Sequence, residues 1–363
     1  MKTTKKLLAV LLSVVMLLGI LPLSVLAEET QTVEQGIWVA GTKVSDGTSN
    51  TVTYWVNDGN GGITQEGATE KKYNVKVQYS NITLKNANLS KLYEYYSEEA
   101  TDYQGNSLGY TLKEAAVIYS NIYSLNLVLE GKNNTITAKV DDTQTVRYQS
   151  VAGICCFNEK VTMGNYNNPQ YSYNGTIELR GKGKLDLNVS KGNKVYDDYY
   201  KAKEVCKGIY FYTLNIRDNS KITVSDSDVA FFCGRVYGIG NTRAGSMHIY
   251  NGTIEAKCNY MVFNTQPYNK YIRDPKIVVS GDKSGETTEK YEESLGSLSG
   301  LNYKYVKITA RSAVSAFFLN TFEDVAEYLV PQYVFFLLEV LMQFPLAFRA
   351  LLNWIIELIL GLL

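Results

Sequence analysis

The hexapeptide Tyr-Asn-Gly-Thr-Ile-Glu occurs twice in this chain, at Tyr173–Glu178 and at Tyr250–Glu255. Each copy opens a strand-like run with an Asn-Gly turn. The chain around both keeps one grammar: a few alternating apolar residues, a turn of Gly, Asn, Asp or Ser, then more alternation. Self-similarity of this kind belongs to chains that stack like units, each burying its apolar face on the next. Stacked units present a long surface rather than one deep pocket, which points to a long polymer as ligand. The two hexapeptides read as equivalent points of two units.

Period-2 runs stand at Asn74–Val77, Ile82–Leu84, Leu125–Leu129, Thr135–Ala138, Thr176–Leu179, Leu185–Val189, Leu214–Ile216, Lys221–Val224 and Lys276–Val279. The turn clusters Gly131–Asn134, Gly181–Gly183, Asp218–Ser220 and Asn251–Gly252 punctuate them. Proline is scarce, as uninterrupted strand ladders require. One frame aligns Leu127–Ile136, Ile177–Leu185, Leu214–Ile222 and Met247–Ile254. A second frame aligns Ala116–Tyr119, Gly153–Cys156 and Gly208–Phe211. The pattern predicts an all-β solenoid, a parallel β-helix over residues 28–310 whose turns carry loops of unequal length. A β-sandwich built on Asn-Gly hairpins is the rival, but a sandwich has no reason to repeat itself in sequence.

The two ends depart from this grammar. Lys2, Lys5 and Lys6 precede the apolar stretch Leu7–Ile20, and Val25-Leu26-Ala27 offers a small-residue cleavage site, so residues 1–27 read as a signal peptide of a secreted chain. Residues 311–363 read as apolar, amphipathic helices broken near Pro345, with capping pairs at Asn320 and Glu323 and at Thr321 and Asp324, after which polar side chains recur at Glu339, Gln343, Arg349, Asn353 and Glu357. Three roles stay open for residues 313–363: lying in a membrane interface, self-associating, or capping the last unit of the solenoid.

Composition excludes several classes. With 36 basic and 36 acidic residues the chain lacks the charge of a nucleic-acid binder. Its one histidine, His248, cannot by itself furnish a histidine zinc site, and within Met247–Tyr250 it reads as an outward-facing strand residue. The five cysteines are odd in number and match no metal spacing, so they read as buried apolar side chains. Tyrosine is the outlier, with 29 residues against 12 phenylalanines and 3 tryptophans. Most suit half-exposed strand surface, and some suit stacking on sugar rings.

Gly36-Ile-Trp-Val-Ala-Gly-Thr-Lys-Val44, Ile82-Thr-Leu-Lys-Asn-Ala-Asn-Leu89 and Lys207-Gly-Ile-Tyr-Phe-Tyr-Thr-Leu-Asn-Ile216 resemble segments of secreted bacterial right-handed β-helix proteins. These are carbohydrate-binding-domain-containing proteins of pectate-lyase-like fold. The resemblance spans roughly residues 36–310 and rests on structural motifs. It implies a right-handed helix, a secreted or surface-held location, and a partner that is an acidic polysaccharide, with calcium as the accompanying ion. No catalytic motif of such a family stands in the chain.

Two candidate sites follow from the residues. Asp226 and Asp228, two apart, would share one face of a strand, as a calcium site or a two-carboxylate mechanism needs; the other reading is that they end a strand as a turn, which aspartate favours. Tyr196, Tyr199 and Tyr200, interleaved with Asp197 and Asp198, combine aromatic planes with hydrogen-bonding groups, as a carbohydrate-binding loop does. Leu92–Tyr96 and Tyr166–Tyr171 read as similar loops. The expectation is a non-catalytic polysaccharide-binding protein. The alternatives are a polysaccharide lyase or glycoside hydrolase, and an adhesin or assembly subunit that uses its helical tail.

Overall fold

The computed structural model describes residues 34–156, 175–192, 205–238, 241–265, 267–269, 275–291, 295–298 and 301–309, together with Trp354 and Glu357. The expected signal peptide and the tyrosines at 196, 199 and 200 lie outside these residues. So do the C-terminal helices, apart from those two isolated positions.

The described chain is all-β, and its strands assemble chiefly into three sheets. We call first the eight-stranded sheet that contains Ile37–Val39, second the nine-stranded sheet, and third the eight-stranded sheet that contains Asn88–Leu89. From Ser124 onward the chain visits them in strict rotation. Ser124–Glu130 joins the second sheet, Asn134–Val140 the third and Val146–Cys156 the first. The cycle repeats with Thr176–Gly181, Lys184–Lys191 and Cys206–Phe211, then with Thr213–Ile216, Lys221–Ser225 and Val229–Cys233. It runs once more through Ser246–Ile249, Thr253–Lys257 and Met261–Phe263. Strands of successive cycles pair in parallel with their counterparts. Both ends of the array turn antiparallel. Thr53–Asn57 and Val75–Gln78 begin the second sheet, and Tyr305–Thr309 with Lys276–Ser280 finish the third.

Alternation explains the core. Leu125, Leu127 and Leu129 point inward, as do Ile177 and Leu179, Leu185 and Leu187, Leu214 and Ile216, and Ile222 and Val224. All belong to one continuous apolar cluster, and burying each such side chain stabilises by roughly 1.5–3 kcal/mol. The corners are held by side chains that replace the ladder. Fully buried Asn134 donates from Nδ2 to Glu130 O at 2.8 Å and Lys184 O at 2.9 Å, and its Oδ1 accepts from the Ala87 amide at 3.0 Å. One asparagine thereby ties its own turn to the turns before and after it, leaving no buried amide group unpaired there.

All nine alternating runs fall on strands, the first of which begins at Val75 rather than Asn74, and the five cysteines are free and buried. Burial pushes the Cys156 and Cys258 thiols up to about 12. The repeated hexapeptide needs correction. Thr176-Ile177-Glu178 sits in the second sheet, whereas Thr253-Ile254-Glu255 sits in the third, so the copies are not equivalent points. Asn-Gly-Thr-Ile serves any turn that leads into a strand, and pairing partners decide which sheet receives it.

The aligned frames fare better. Ile177, Leu214 and Met247 are true neighbours, while the first frame is displaced by two residues because Leu125 pairs with Ile177. In the second frame Ile118 pairs with Ile154 and Ile154 with Ile209. There the alignment beginning at Ala116 is off by one residue, a slip that would exchange inner and outer faces.

Candidate functional site

Outward-facing residues of the second sheet stack in rows, because its parallel strands pair without slippage from Asn81–Lys85 to Ser246–Ile249. The central row is Asn81, Asn126, Glu178, Asn215 and His248. On one side runs a hydroxyl row of Ser124, Thr176, Thr213 and Ser246. On the other side Thr83, Val128 and Arg180 stand in register. That row continues past the strand ends into Arg217 and Tyr250, whose amides donate to Leu179 O at 2.8 Å and Ile216 O at 2.9 Å.

The polar groups order one another. Asn126 Nδ2 donates to Asn81 Oδ1 at 3.0 Å. Arg180 Nε donates to Glu178 Oε1 at 2.7 Å, and Arg217 Nε lies 2.9 Å from the same oxygen. The Glu178 carboxylate thus hydrogen-bonds Arg180 and ion-pairs with Arg217, and the two guanidinium groups beside it leave a net positive charge. The Arg217 guanidinium stacks on the Tyr250 ring at 4.0 Å from its centre, and His248 Nε2 lies 3.1 Å from Ser246 Oγ. His248 is thus the outward-facing strand residue expected, but within a row rather than alone.

Three turns close this end of the face. Gly181-Lys182, Arg217-Asp218-Asn219 and Tyr250-Asn251 line a cavity of about 440 Å³. Its volume suits a ring-sized ligand. Asp218 and Asn219 both take left-handed backbone, with φ of 60° and 61°, which short polar side chains tolerate. Gly181, at φ 91°, packs so closely that a Cβ there would lie 2.3 Å from Leu129 O. Asn251 lines the cavity, and its buried Oδ1 meets no hydrogen-bond donor among the described residues.

Asp226 and Asp228 take the turn placement and do not share a strand face. They lie in the corner between Lys221–Ser225 and Val229–Cys233, not on a strand, and Asp226 has left-handed backbone at φ 63°. Aspartate in a corner obeys turn chemistry rather than strand alternation. Asp226 Oδ1 accepts from Lys283 Nζ at 2.8 Å and Oδ2 from Asn188 Nδ2 at 2.9 Å. Lys283 holds the Asp226 carboxyl below the ordinary aspartate value. Buried Asp228 accepts from the Cys206 amide at 2.9 Å. A calcium ion at Asp226 would have to displace the Lys283 ammonium. Among the described residues no group of three His, Cys, Asp or Glu side chains is arranged to hold a metal.

The segment Leu92–Tyr96 is likewise no loop. Tyr93–Thr101 is a strand pairing antiparallel with Ser107–Ser120. Tyr93 stacks on Trp38 at 4.4 Å between ring centres, and Tyr95 stacks on Tyr119 at 4.4 Å. These tyrosines pack the outer side of the first sheet, and burial raises the Tyr95 hydroxyl well above its ordinary pKa.

Reading residue by residue missed Asn126, Glu178, Arg217 and Tyr250. For Glu178, Arg217 and Tyr250 the signal was present in the aligned frames, where Glu178, Asn215 and His248 fall in one column and Arg180, Arg217 and Tyr250 two positions on; Asn126 stands outside the frame that begins at Leu127. No protein-family model matches the chain, and no curated protein or solved structure matches it.

Proposed function

We propose that this chain is a right-handed parallel β-helix, exported and held at the cell surface, that binds polysaccharide without cleaving it. The rotation of strands through three sheets supports the helical reading. The observation that carries the function is the outer face of the second sheet. There Asn81, Asn126, Glu178, Asn215 and His248 repeat at the strand spacing of about 4.8 Å and end beside the Arg217–Tyr250 stack. Carboxamides both donate to and accept from hydroxyl groups, guanidinium groups donate, and a tyrosine plane supports the apolar face of a sugar ring. A row of such groups serves a polymer better than a single small ligand. Glu178 acts by pairing with two arginines, a binding role rather than general acid–base chemistry.

The test is a glycan array probed with the full chain, run beside assays for shortened or unsaturated sugars released from polygalacturonate. Binding without product is the expected result, and release of product overturns the non-catalytic reading. Surface attachment through residues 313–363 has its own test: a chain truncated at residue 312 should no longer partition with membranes, and one that still does is held by another part.

A further inference from the structure

The Tyr250 row reaches a second aromatic platform at the opposite end of the same face. Val128 pairs with Thr83, Thr83 with Lys76 and Lys76 with Tyr54, so Tyr54 stands in the row that ends at Tyr250. The Tyr73 ring lies 5.6 Å from that of Tyr54. Lys85 Nζ sits 5.0 Å above the Tyr73 ring, and the Tyr73 hydroxyl donates to Glu130 at 3.0 Å. Burial, then the Glu130 carboxylate, raises the Tyr73 phenol above its ordinary pKa, so it stays a donor at neutral pH. Tyr54 and Tyr73 are half-buried, each ring fixed by neighbours yet open to solvent.

The two platforms share one construction: a tyrosine with a cation stacked on it and a carboxylate within reach. Six strand steps separate them, from Thr53–Asn57 to Ser246–Ile249 in the sheet order, or roughly 29 Å at about 4.8 Å per step. Between them the row is polar or small, with Lys76, Thr83, Val128 and Arg180. An extended β-1,4-linked hexopyranose chain advances by nearly one strand spacing per sugar.

We infer that Tyr54 and Tyr73 form a second sugar subsite, and that the ligand is a linear glycan of about six units lying across the strands from Tyr54 to Tyr250. This rests on the polysaccharide reading above and adds a requirement for length. A short oligosaccharide occupies one platform, whereas a long one engages both at the cost of a single association.

The experiment measures affinity of the full chain for β-1,4-glucan, β-1,4-mannan and polygalacturonate oligosaccharides of two to eight units. The expected result is weak binding up to about four units and a rise of at least tenfold on reaching about six. Tyr73→Ala, in a loop, and Tyr54→Thr, which keeps strand propensity, should each abolish that rise while a trisaccharide still binds at the Tyr250 platform. Equal affinity for three and six units overturns the two-platform inference and leaves polysaccharide binding standing. Failure of every length to bind overturns the polysaccharide reading and this inference together. Loss of trisaccharide binding in Tyr73→Ala, with an unchanged thermal midpoint, also overturns it, because the platforms would then not be separate.

Discussion

The outer faces of the first and second sheets are built from strands of the same cycles through the three sheets, and they have opposite fates. On the first sheet, cross-strand pairing sets Trp38 beside Tyr119, then Cys155, Tyr210 and Phe232. Trp38, Tyr119, Cys155 and Tyr210 are buried, and Tyr93 and Tyr95 stack against them. Lys207 is buried in the same layer, its Nζ donating to Ser150 Oγ at 2.8 Å with the Tyr210 and Phe232 rings beside it. On the second sheet the matching layer is a half-exposed row of Asn, Glu, His and Arg with tyrosines only at its two ends. Aromatic residues under a covering strand form a second core, while aromatic residues at the ends of an uncovered polar row form platforms. Tyrosine count alone does not separate the two.

The comparison breaks most sharply at Tyr119. Replacing it with alanine should lower stability by about 3–5 kcal/mol in urea denaturation, as loss of a buried aromatic ring does. Glycan affinity per folded molecule should stay unchanged, and loss of affinity at full folding would place the ligand on the wrong sheet. Gly181→Ala should cost roughly 2–3 kcal/mol, because its positive φ and the nearby Leu129 carbonyl both oppose a Cβ. Since Lys182 and Arg217 line the cavity beside it, this variant should also weaken glycan binding, linking the packing of the corner to the site.

Tyr250→Ala reverses the pattern set by Tyr119. Affinity should fall about tenfold, equivalent to about 1.4 kcal/mol, while stability changes by less than about 1 kcal/mol. Similar stability losses for Tyr250→Ala and Tyr119→Ala would erase the distinction between the faces. Asp226 belongs to neither face and supplies the smallest effect. Its folded pKa is depressed by Lys283, so its stabilisation is present above the unfolded carboxylate value of about 3.9 and is lost as pH falls through the folded value. Asp226→Asn should therefore lose less stability than the parent chain between pH 5 and pH 2. The difference should be a few tenths of a kcal/mol, since the pair is half exposed. Thermal midpoints across that range measure it, and identical slopes would remove the ion pair from the account.

Strand positions were legible because alternation is local. Leu125-Asn126-Leu127 announces an inner and an outer face whatever the partners are. The frames Ile177–Leu185 and Leu214–Ile222 even disclosed true neighbours, since equivalent corners demand similar turns. The hexapeptide misled for the same reason: an Asn-Gly turn and a Thr-Ile strand start are local chemistry, and two different corners can use them. At Asp226 and Asp228 the turn propensity of aspartate outweighed the two-residue spacing, which fixes a common face only inside a strand.

Alternation, turn residues and scarcity of proline were sufficient for all-β character, the strand positions and the buried cysteines. Each depends only on neighbours a few residues away. Which runs share a sheet, which face a second strand covers, and which outer residues stand in one row depend on pairing between segments tens of residues apart. Tyr54 and Tyr250 lie nearly two hundred residues apart in sequence and in one row of the second sheet. Only the register of six successive strand pairings brings them onto one surface.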